Sequence, residues 1–478
     1  MKAIIVGSGI GGLTSAVELR SLGLDVEVLE KNPTIGGRMN FIRKDGYYFD
    51  TGPSLLIMLK PLKDLFEKNG RKLEDYLKIK LIDPTYRVYF EKDGSVLEPS
   101  VIIPNYLAQI PNEIGNLLKF FGDISNMYHF VITNLVYKNF NTIFDMITPK
   151  GAYNALKFGF LSNLYRKTSS YFKDYRLKWL NTFQSMYLGV SPYDAPFAYA
   201  VVNYMESVEG VYYALGGMYK VAEAIAKLAQ EMGVKITTNT EVKSVVNSNG
   251  KKVVITNRGE YDADIVVVNA DLTFAKEKLL NKKVPKYKHS CSTLMYYIGY
   301  EGQTELLHHN VFFGTKFKEV LDDIFKSGKF NEDISFYVHI SAKTDPEHAP
   351  KNSENIYILV PVSNLEVSKE DYNTLSQNIL NIVFDRLEKR TSFRRDKVKF
   401  VITRTPNDWQ SLYNLYQGST FGISHTLFQS AYFRPKNYEK DIKGLYYVGA
   451  STIPGSGIPM VIISAQLVKE RIKNDYGL

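Results

Sequence analysis

Lys2 to Arg38 reads KAIIVGSGIGGLTSAVELRSLGLDVEVLEKNPTIGGR, and this stretch decides the fold. Ala3-Ile4-Ile5-Val6 is a short, wholly apolar run, the pattern of a strand buried on both faces in a parallel sheet. It leads straight into Gly7-Ser8-Gly9-Ile10-Gly11-Gly12, which fits G-x-G-x-x-G. The spacing of Leu13, Ala16, Val17 and Leu19 predicts a helix from Thr14 to Leu22, stopped by Gly23. Val26-Glu27-Val28-Leu29 predicts a second strand, ending at Glu30. Strand, glycine turn, helix, second strand and an acidic residue about 20 positions on together form a dinucleotide-binding fingerprint.

Each part has its own physical reason. Gly7 permits the tight turn, Gly9 lets backbone approach a pyrophosphate, and Gly12 lets helix and strand pack closely. The helix N-terminus offers unpaired amides and the positive end of a dipole to phosphate charge. Glu30 is placed to accept hydrogen bonds from ribose hydroxyls, and its charge disfavours a 2′-phosphate.

The totals set the frame. The chain has 478 residues, 45% hydrophobic and 23% charged, enough for two or three domains with large cores. Its single cysteine, Cys291, excludes an intrachain disulfide and a thiolate metal cluster, and reads as a buried small hydrophobe in a reducing cytosol. The apolar N-terminus reads as the first strand, not as a signal peptide. The longest uncharged run, Leu445 to Val468, contains Pro454, Pro459 and several glycines and makes a poor membrane span. A net charge of +9 favours an anionic surface as partner. No arginine-rich helix or stacking motif argues for nucleic acid. His308 and His309 read as core or loop residues, since no ligand spacing supports a metal.

Further along, Asn40 to Tyr48 predicts a hairpin turning at Asp45-Gly46, followed by a helix near Pro61 to Asn69. From Pro104 to about Pro192 the pattern becomes helical and rich in aromatics, with Leu117, Phe120, Phe121, Ile124, Tyr128, Val131, Ile132 and Leu135 at helical spacing. Strand–glycine–helix signals return at Gly216-Gly217-Met218, and again at Leu445 to Val448, a glycine–proline loop and a final helix from Pro459 to Ile472. The expected fold is therefore α/β: a discontinuous Rossmann-like domain of 1–95, 210–285 and 440–478. The helical region, 96–209, and residues 286–439 would form an α+β substrate domain.

Longer motifs place the chain beside a known family. Gly36-Gly37-Arg38 after the acidic residue resembles flavin-binding proteins related to amine oxidases, in which the arginine lies over the pyrophosphate, and so points to FAD over NAD. Asp50-Thr51-Gly52-Pro53, His308-His309-Asn310, Thr344-Asp345-Pro346, Thr405-Pro406-Asn407-Asp408-Trp409, Gln429 to Pro435 and Gly444 to Pro459 resemble, in order, the bacterial and fungal phytoene desaturases. The resemblance covers essentially the whole chain. Its departures include Met460 and Ile463 where that family often has glycine.

The resemblance implies FAD held by Gly7, Gly9, Gly11, Gly12, Glu30, Lys31, Gly37, Arg38, Gly52, Pro53, Val242, Gly449, Ala450, Gly457, Ile458 and Pro459. It implies hydride transfer from a linear isoprenoid to flavin N5, with the final helix aimed at the N1–C2=O edge. Asp174, in Tyr171-Phe172-Lys173-Asp174, resembles a segment beside the substrate channel and is the candidate base. With one dinucleotide fingerprint present, electrons are expected to pass to oxygen or a membrane quinone. A hydrocarbon substrate implies peripheral docking on the inner face of the cell membrane, through the aromatic helices and Lys119, Lys138, Lys150 and Lys157. The alternatives are a related flavoenzyme, namely a carotenoid oxidase, isomerase or amine oxidase, or a non-catalytic isoprenoid-binding protein of the same fold.

Overall fold

The computed structural model describes residues 1–146, 148–248 and 250–478, with the backbone alone at Lys150 and Ser248. A five-stranded sheet runs in the order Leu445–Tyr447, Ile265–Val268, Lys2–Val6, Asp25–Leu29, Lys235–Thr237. Every pairing is parallel, with Val6 in register with Val268 on one side and Leu29 on the other. The sheet gathers strands from three distant parts of the sequence. The Ile10–Arg20 helix packs between the Tyr219–Glu231 and Ile458–Tyr476 helices.

The first helix starts at Ile10, earlier than the apolar spacing predicts, because Gly11 and Gly12 are already helical. Of the turn glycines only Gly7 needs a left-handed conformation, with φ 94°. Gly12 is required for a different reason: a Cβ there would lie 2.0 Å from the Gly7 carbonyl oxygen.

A second, seven-stranded sheet has the order Val398–Arg404, Ser292–Tyr300, Glu354–Val362, Phe336–Ile340, His309–Phe313, Arg87–Phe90, Val96–Leu97. All its pairings are antiparallel except that of His309–Phe313 with Arg87–Phe90. Arg87–Phe90 lies before residue 95 yet belongs to this sheet. Its apolar Val88 and Phe90 complete the core beneath the aromatic helices. Ser292–Tyr300 is buried along its whole length. Leu294, Tyr296 and Ile298 meet the Tyr372–Arg390 helix, and Met295 and Tyr297 meet Phe49 on the opposite face. Period-two alternation with two buried faces explains the continuous apolar run. The Phe41–Lys44 and Tyr47–Asp50 hairpin turns at Asp45 and Gly46, both at positive φ, as a two-residue primed turn requires.

The helical region is mainly core. In Ile114–Val131 the buried residues Leu117, Phe120, Phe121, Ile124, Met127, Tyr128 and Val131 form one stripe. The helix then widens into a π-helical turn, Ile132–Val136, and Ile132 and Leu135 leave the stripe to face an internal cavity. No helix among the described residues is long and apolar enough to cross a membrane.

Gly12→Ala should destabilise the protein by more than about 2 kcal/mol, because the new methyl strikes a backbone carbonyl that cannot move without opening the turn. Denaturant unfolding of the variant checks this.

Candidate functional site

Beneath the Gly7–Gly12 turn opens a cavity of about 870 Å³ that continues into the aromatic helices. Of the cofactor positions expected from the sequence, Gly7, Gly9, Gly11, Glu30, Lys31, Gly37, Arg38, Gly52, Pro53, Val242, Gly449, Ala450, Gly457, Ile458 and Pro459 all line it. Gly12 lies behind the turn, against the strand. Met460 lines the cavity as well, whereas Ile463 is buried in the neighbouring core.

The cradle fits a dinucleotide. A Cβ on Gly9 would sit 2.7 Å from the Asn269 side chain, and one on Gly37 would sit 3.2 Å from the Gly9 Cα, so bare backbone forms the floor. Gly7 donates to the Leu29 carbonyl at 2.8 Å, and Gly36 donates to the Ser8 carbonyl at 2.9 Å, locking turn and second glycine pair together. Glu30 is 4% exposed. Its Oε2 accepts from the Ser8 amide and hydroxyl, each at 2.8 Å, and its Oε1 accepts from the Asn32 amide at 2.9 Å. A carboxylate has about four lone-pair positions, so one remains for a ribose hydroxyl. Arg38 donates to the Thr420 carbonyl at 2.5 Å, and burial lowers its pKa while Asp271 opposes the shift. Burial likewise lowers Lys31, against the nearby Glu241 and Glu30. The Ile458–Tyr476 helix presents its N-terminus to the same space, with Gly457 at φ 109° as its cap and a proline in the first turn, where no amide is lost.

Several residues of the site escaped the sequence reading. Asn269 follows the Ile265–Val268 strand and donates from its backbone to Val6 at 2.8 Å. Turned so that both contacts are satisfied, its amide oxygen accepts from Gly9 and Gly12 at 3.2 Å each. The local signal was an apolar strand ending in Asn-Ala-Asp. Arg434 is 1% exposed and donates to the carbonyls of Thr452, Gln429, Ile423 and Ala450, holding the loop that forms one wall. His425 bonds the Leu188 carbonyl through Nδ1 at 2.9 Å and accepts from the Ser456 amide at 3.2 Å.

The far arm of the cavity is apolar. From Phe183 to Met205 and from Phe313 to Ile324, its described lining residues carry no charged side chain. Cys291 lines it, and burial pushes its thiol up to about 12, which leaves it unreactive. Asp174 is not among the lining residues. It caps the Tyr175–Leu180 helix, accepting from the Arg176 amide at 2.9 Å and pairing with the Arg176 guanidinium at 2.6 Å. Its own amide is held by Glu113 at 2.7 Å. The side chain therefore turns toward its own helix end, as a cap does.

Behind the arm sits a different acid. Glu206, 3% exposed, accepts from Tyr86 at 3.0 Å and from Gln184 at 3.1 Å, and burial pushes its carboxyl up to about 7. Tyr86 in turn bonds Tyr187, which lines the cavity, at 3.2 Å. Beside the arm, His308 and His309 are brought together with His339, a strand residue that sequence spacing did not connect to them. Burial holds His308 and His309 well below the ordinary histidine range.

The family of flavin-containing amine oxidoreductases matches residues 10–472. A zeta-carotene-forming phytoene desaturase of Myxococcus xanthus is 35% identical over 98% of this chain and 93% of its own length. A phytoene desaturase of Neurospora crassa is 34% identical over 98% and 84%. A 4,4'-diapophytoene desaturase of Staphylococcus haemolyticus is 31% identical over 99% of both. Among solved structures, an oxidoreductase from Methanosarcina mazei superposes with a TM-score of 0.64 at 17% identity, covering 98% of this chain and 100% of that one. A putrescine oxidase redesigned in its cofactor binding superposes with a TM-score of 0.65 at 13% identity, covering 99% and 98%. These two share the fold.

Gly9→Val should yield colourless protein, because the side chain fills the floor on which backbone meets pyrophosphate; the visible spectrum of purified protein tests this. Glu206 supplies a pH signature. Its folded pKa lies above its ordinary 4.5, so its stabilisation is full below about 4.5 and is lost as pH rises through about 7. Glu206→Gln should remove that loss. The stability of the variant relative to wild type should climb by about 3 kcal/mol between those limits and level off above them, as read by denaturant unfolding.

Proposed function

Because the chain belongs to the family of flavin-containing amine oxidoreductases, we propose that it is an FAD-dependent desaturase that introduces double bonds into a linear, phytoene-like isoprenoid. FAD is its cofactor, and the bare backbone floor, Glu30 and the final helix N-terminus are the groups that would hold it. When bound, FAD would supply the two-electron acceptor that removing two hydrogens from adjacent carbons requires, one leaving as hydride and the other as a proton. The chain does the rest. Gly457, Ile458 and Pro459 turn the positive end of a 19-residue helix toward negative charge. The apolar arm orients a hydrocarbon and keeps water from the reacting carbons.

One observation carries this reading: a single cavity joins the dinucleotide cradle to an arm whose described wall, from Phe183 to Met205 and Phe313 to Ile324, is uncharged. A hydrocarbon needs no polar partner, whereas an ammonium substrate in this arm would find no carboxylate along these stretches of wall to replace its hydration. The relatives named as desaturases support the same choice. Oxygen or a membrane quinone is the proposed electron acceptor.

We further propose that the cavity mouth docks on a membrane. Leu161 and Phe433 line the cavity and are 74% and 40% exposed. Leu156 and Phe428, 74% and 75% exposed, are close to them in sequence, and Phe144 is 77% exposed. Exposed leucine and phenylalanine at the mouth of a greasy cavity suit transfer of a substrate dissolved in lipid. Lys119 and Lys157 are exposed and available for anionic headgroups. Lys138 donates to the Asp145 carbonyl at 2.7 Å, and the Lys150 side chain lies outside the described residues.

Cells making phytoene or diapophytoene and expressing this chain should accumulate products lighter by successive pairs of hydrogens, as read by mass and by red-shifted absorption. Unchanged hydrocarbon alongside flavin-loaded protein would overturn the desaturase reading. The triple change Leu156→Ser, Leu161→Ser and Phe428→Ser should weaken binding to anionic liposomes about a hundredfold, from roughly 3 kcal/mol of lost apolar burial. High salt should release wild type only in part, since it screens the lysines alone.

A further inference from the structure

We propose that His308, His309 and His339 form a binding site for one divalent metal ion of the zinc class. His309 opens the His309–Phe313 strand and is the register partner of His339 in the Phe336–Ile340 strand. His308 precedes them, so three imidazoles converge at one end of two inner strands of the seven-stranded sheet. Each offers a ring nitrogen, and these nitrogens lie within 4.8 Å of one another. The three side chains are almost wholly buried, at 4%, 0% and 1% exposure.

The decisive observation is how their hydrogen bonds are spent. In each ring Nδ1 is engaged: His308 with the Thr344 hydroxyl at 2.6 Å, His309 with the Tyr337 hydroxyl at 2.6 Å, and His339 with the His308 carbonyl at 3.2 Å. In each ring Nε2 has no hydrogen-bond partner among the described residues. A carbonyl only accepts, so His339 carries its proton on Nδ1, and a neutral ring then bears a bare lone pair on Nε2. The Thr344 and Tyr337 hydroxyls can accept in the same way, the latter while donating to Ser54 at 2.9 Å. Three buried, unsatisfied nitrogens are costly. A cation that accepts three lone pairs resolves all of them at once.

The surroundings are those of a metal site. Orienting each ligand through its other ring nitrogen is the usual outer shell of metal-bound histidine. Asp50, 1% exposed, places Oδ2 3.8 Å from His339 Nε2 and supplies negative charge. That carboxylate is itself positioned by Tyr213 at 2.6 Å, Tyr48 at 3.1 Å and the Met218 amide at 2.8 Å. Three imidazoles, with one carboxylate charge nearby, suit a zinc-class ion. Tetrahedral ligation brings nitrogens to roughly 3.3 Å apart, so the rings would draw together on binding. The ion would pin the His309–Phe313 strand to the Phe336–Ile340 strand. It would also set Tyr337, which lines the cavity, through His309.

The test uses the full, FAD-loaded chain purified without a histidine tag. Elemental analysis should find close to one zinc-class ion per chain. Zn2+ added after chelator treatment should raise the melting temperature by several degrees, and Co2+ should give tetrahedral bands to the red of flavin absorption. Exposed His129→Asn should respond as wild type does, and His339→Asn should respond to neither ion. Metal far below one per chain, with no thermal or spectral response of wild type to Zn2+ or Co2+, would overturn the proposal and leave a pocket filled by water. Should His339→Asn fail to fold, the wild-type metal content and Co2+ spectrum decide the matter alone.

Discussion

The contact between Gly12 and the Gly7 carbonyl is the constraint on which the rest of the molecule depends. It sets how near the Ile10–Arg20 helix lies to the central strand of the parallel sheet, where a Cβ would come within 2.0 Å of backbone. That closeness aims the helix N-terminus at the cavity. It also brings Gly9 beneath Asn269 and puts Gly37 against Gly9. The Ile458–Tyr476 helix packs on this same helix, so the second N-terminus reaching the cavity inherits its position from the first. Two helix ends and one carboxylate then surround a single space, the helix ends suited to negative charge and the carboxylate to ribose.

The cradle was legible in the sequence because its chemistry demands missing side chains at fixed, short spacing. Gly7 through Arg38 could be read one after another, and their cavity-lining positions follow the motif. The helix start at Ile10 was less legible, since Gly11 and Gly12 look like turn residues while they lie within the helix. Asp174 shows a different limit. An acidic residue near aromatics reads as a channel group, but its direction is set by the amides of the helix it begins. Asn269 and His339 could not be found by spacing at all. Each acts through strand register, across 260 residues from Gly9 to Asn269 and 30 from His309 to His339, and register is decided by the assembled sheet.

The two sheets meet in a wall that neither owns. Thr51 to Leu55 and the loop from Gly449 to Pro459 border the cradle, while Tyr337, Tyr357 and Phe313 border it from the larger sheet. Arg434 stiffens this wall without a carboxylate partner among the described residues, using four carbonyl oxygens in its place. A guanidinium can satisfy carbonyls in several directions from one plane, which a lysine ammonium cannot match. The π-helical turn at Ile132–Val136 performs the corresponding task in the helical region, turning a packing stripe into a cavity lining.

The strand order of the parallel sheet has a consequence for biogenesis. Lys2–Val6 lies at its centre, yet its outer neighbour beyond Ile265–Val268 is Leu445–Tyr447. On the ribosome, at roughly 5–20 residues per second, the first strand waits tens of seconds for the last. During that interval the glycine turn exists without its far wall, and the nascent chain exposes an unpaired sheet edge. Cofactor capture therefore belongs after release from the ribosome, and chaperone shelter matters most for this half-built sheet.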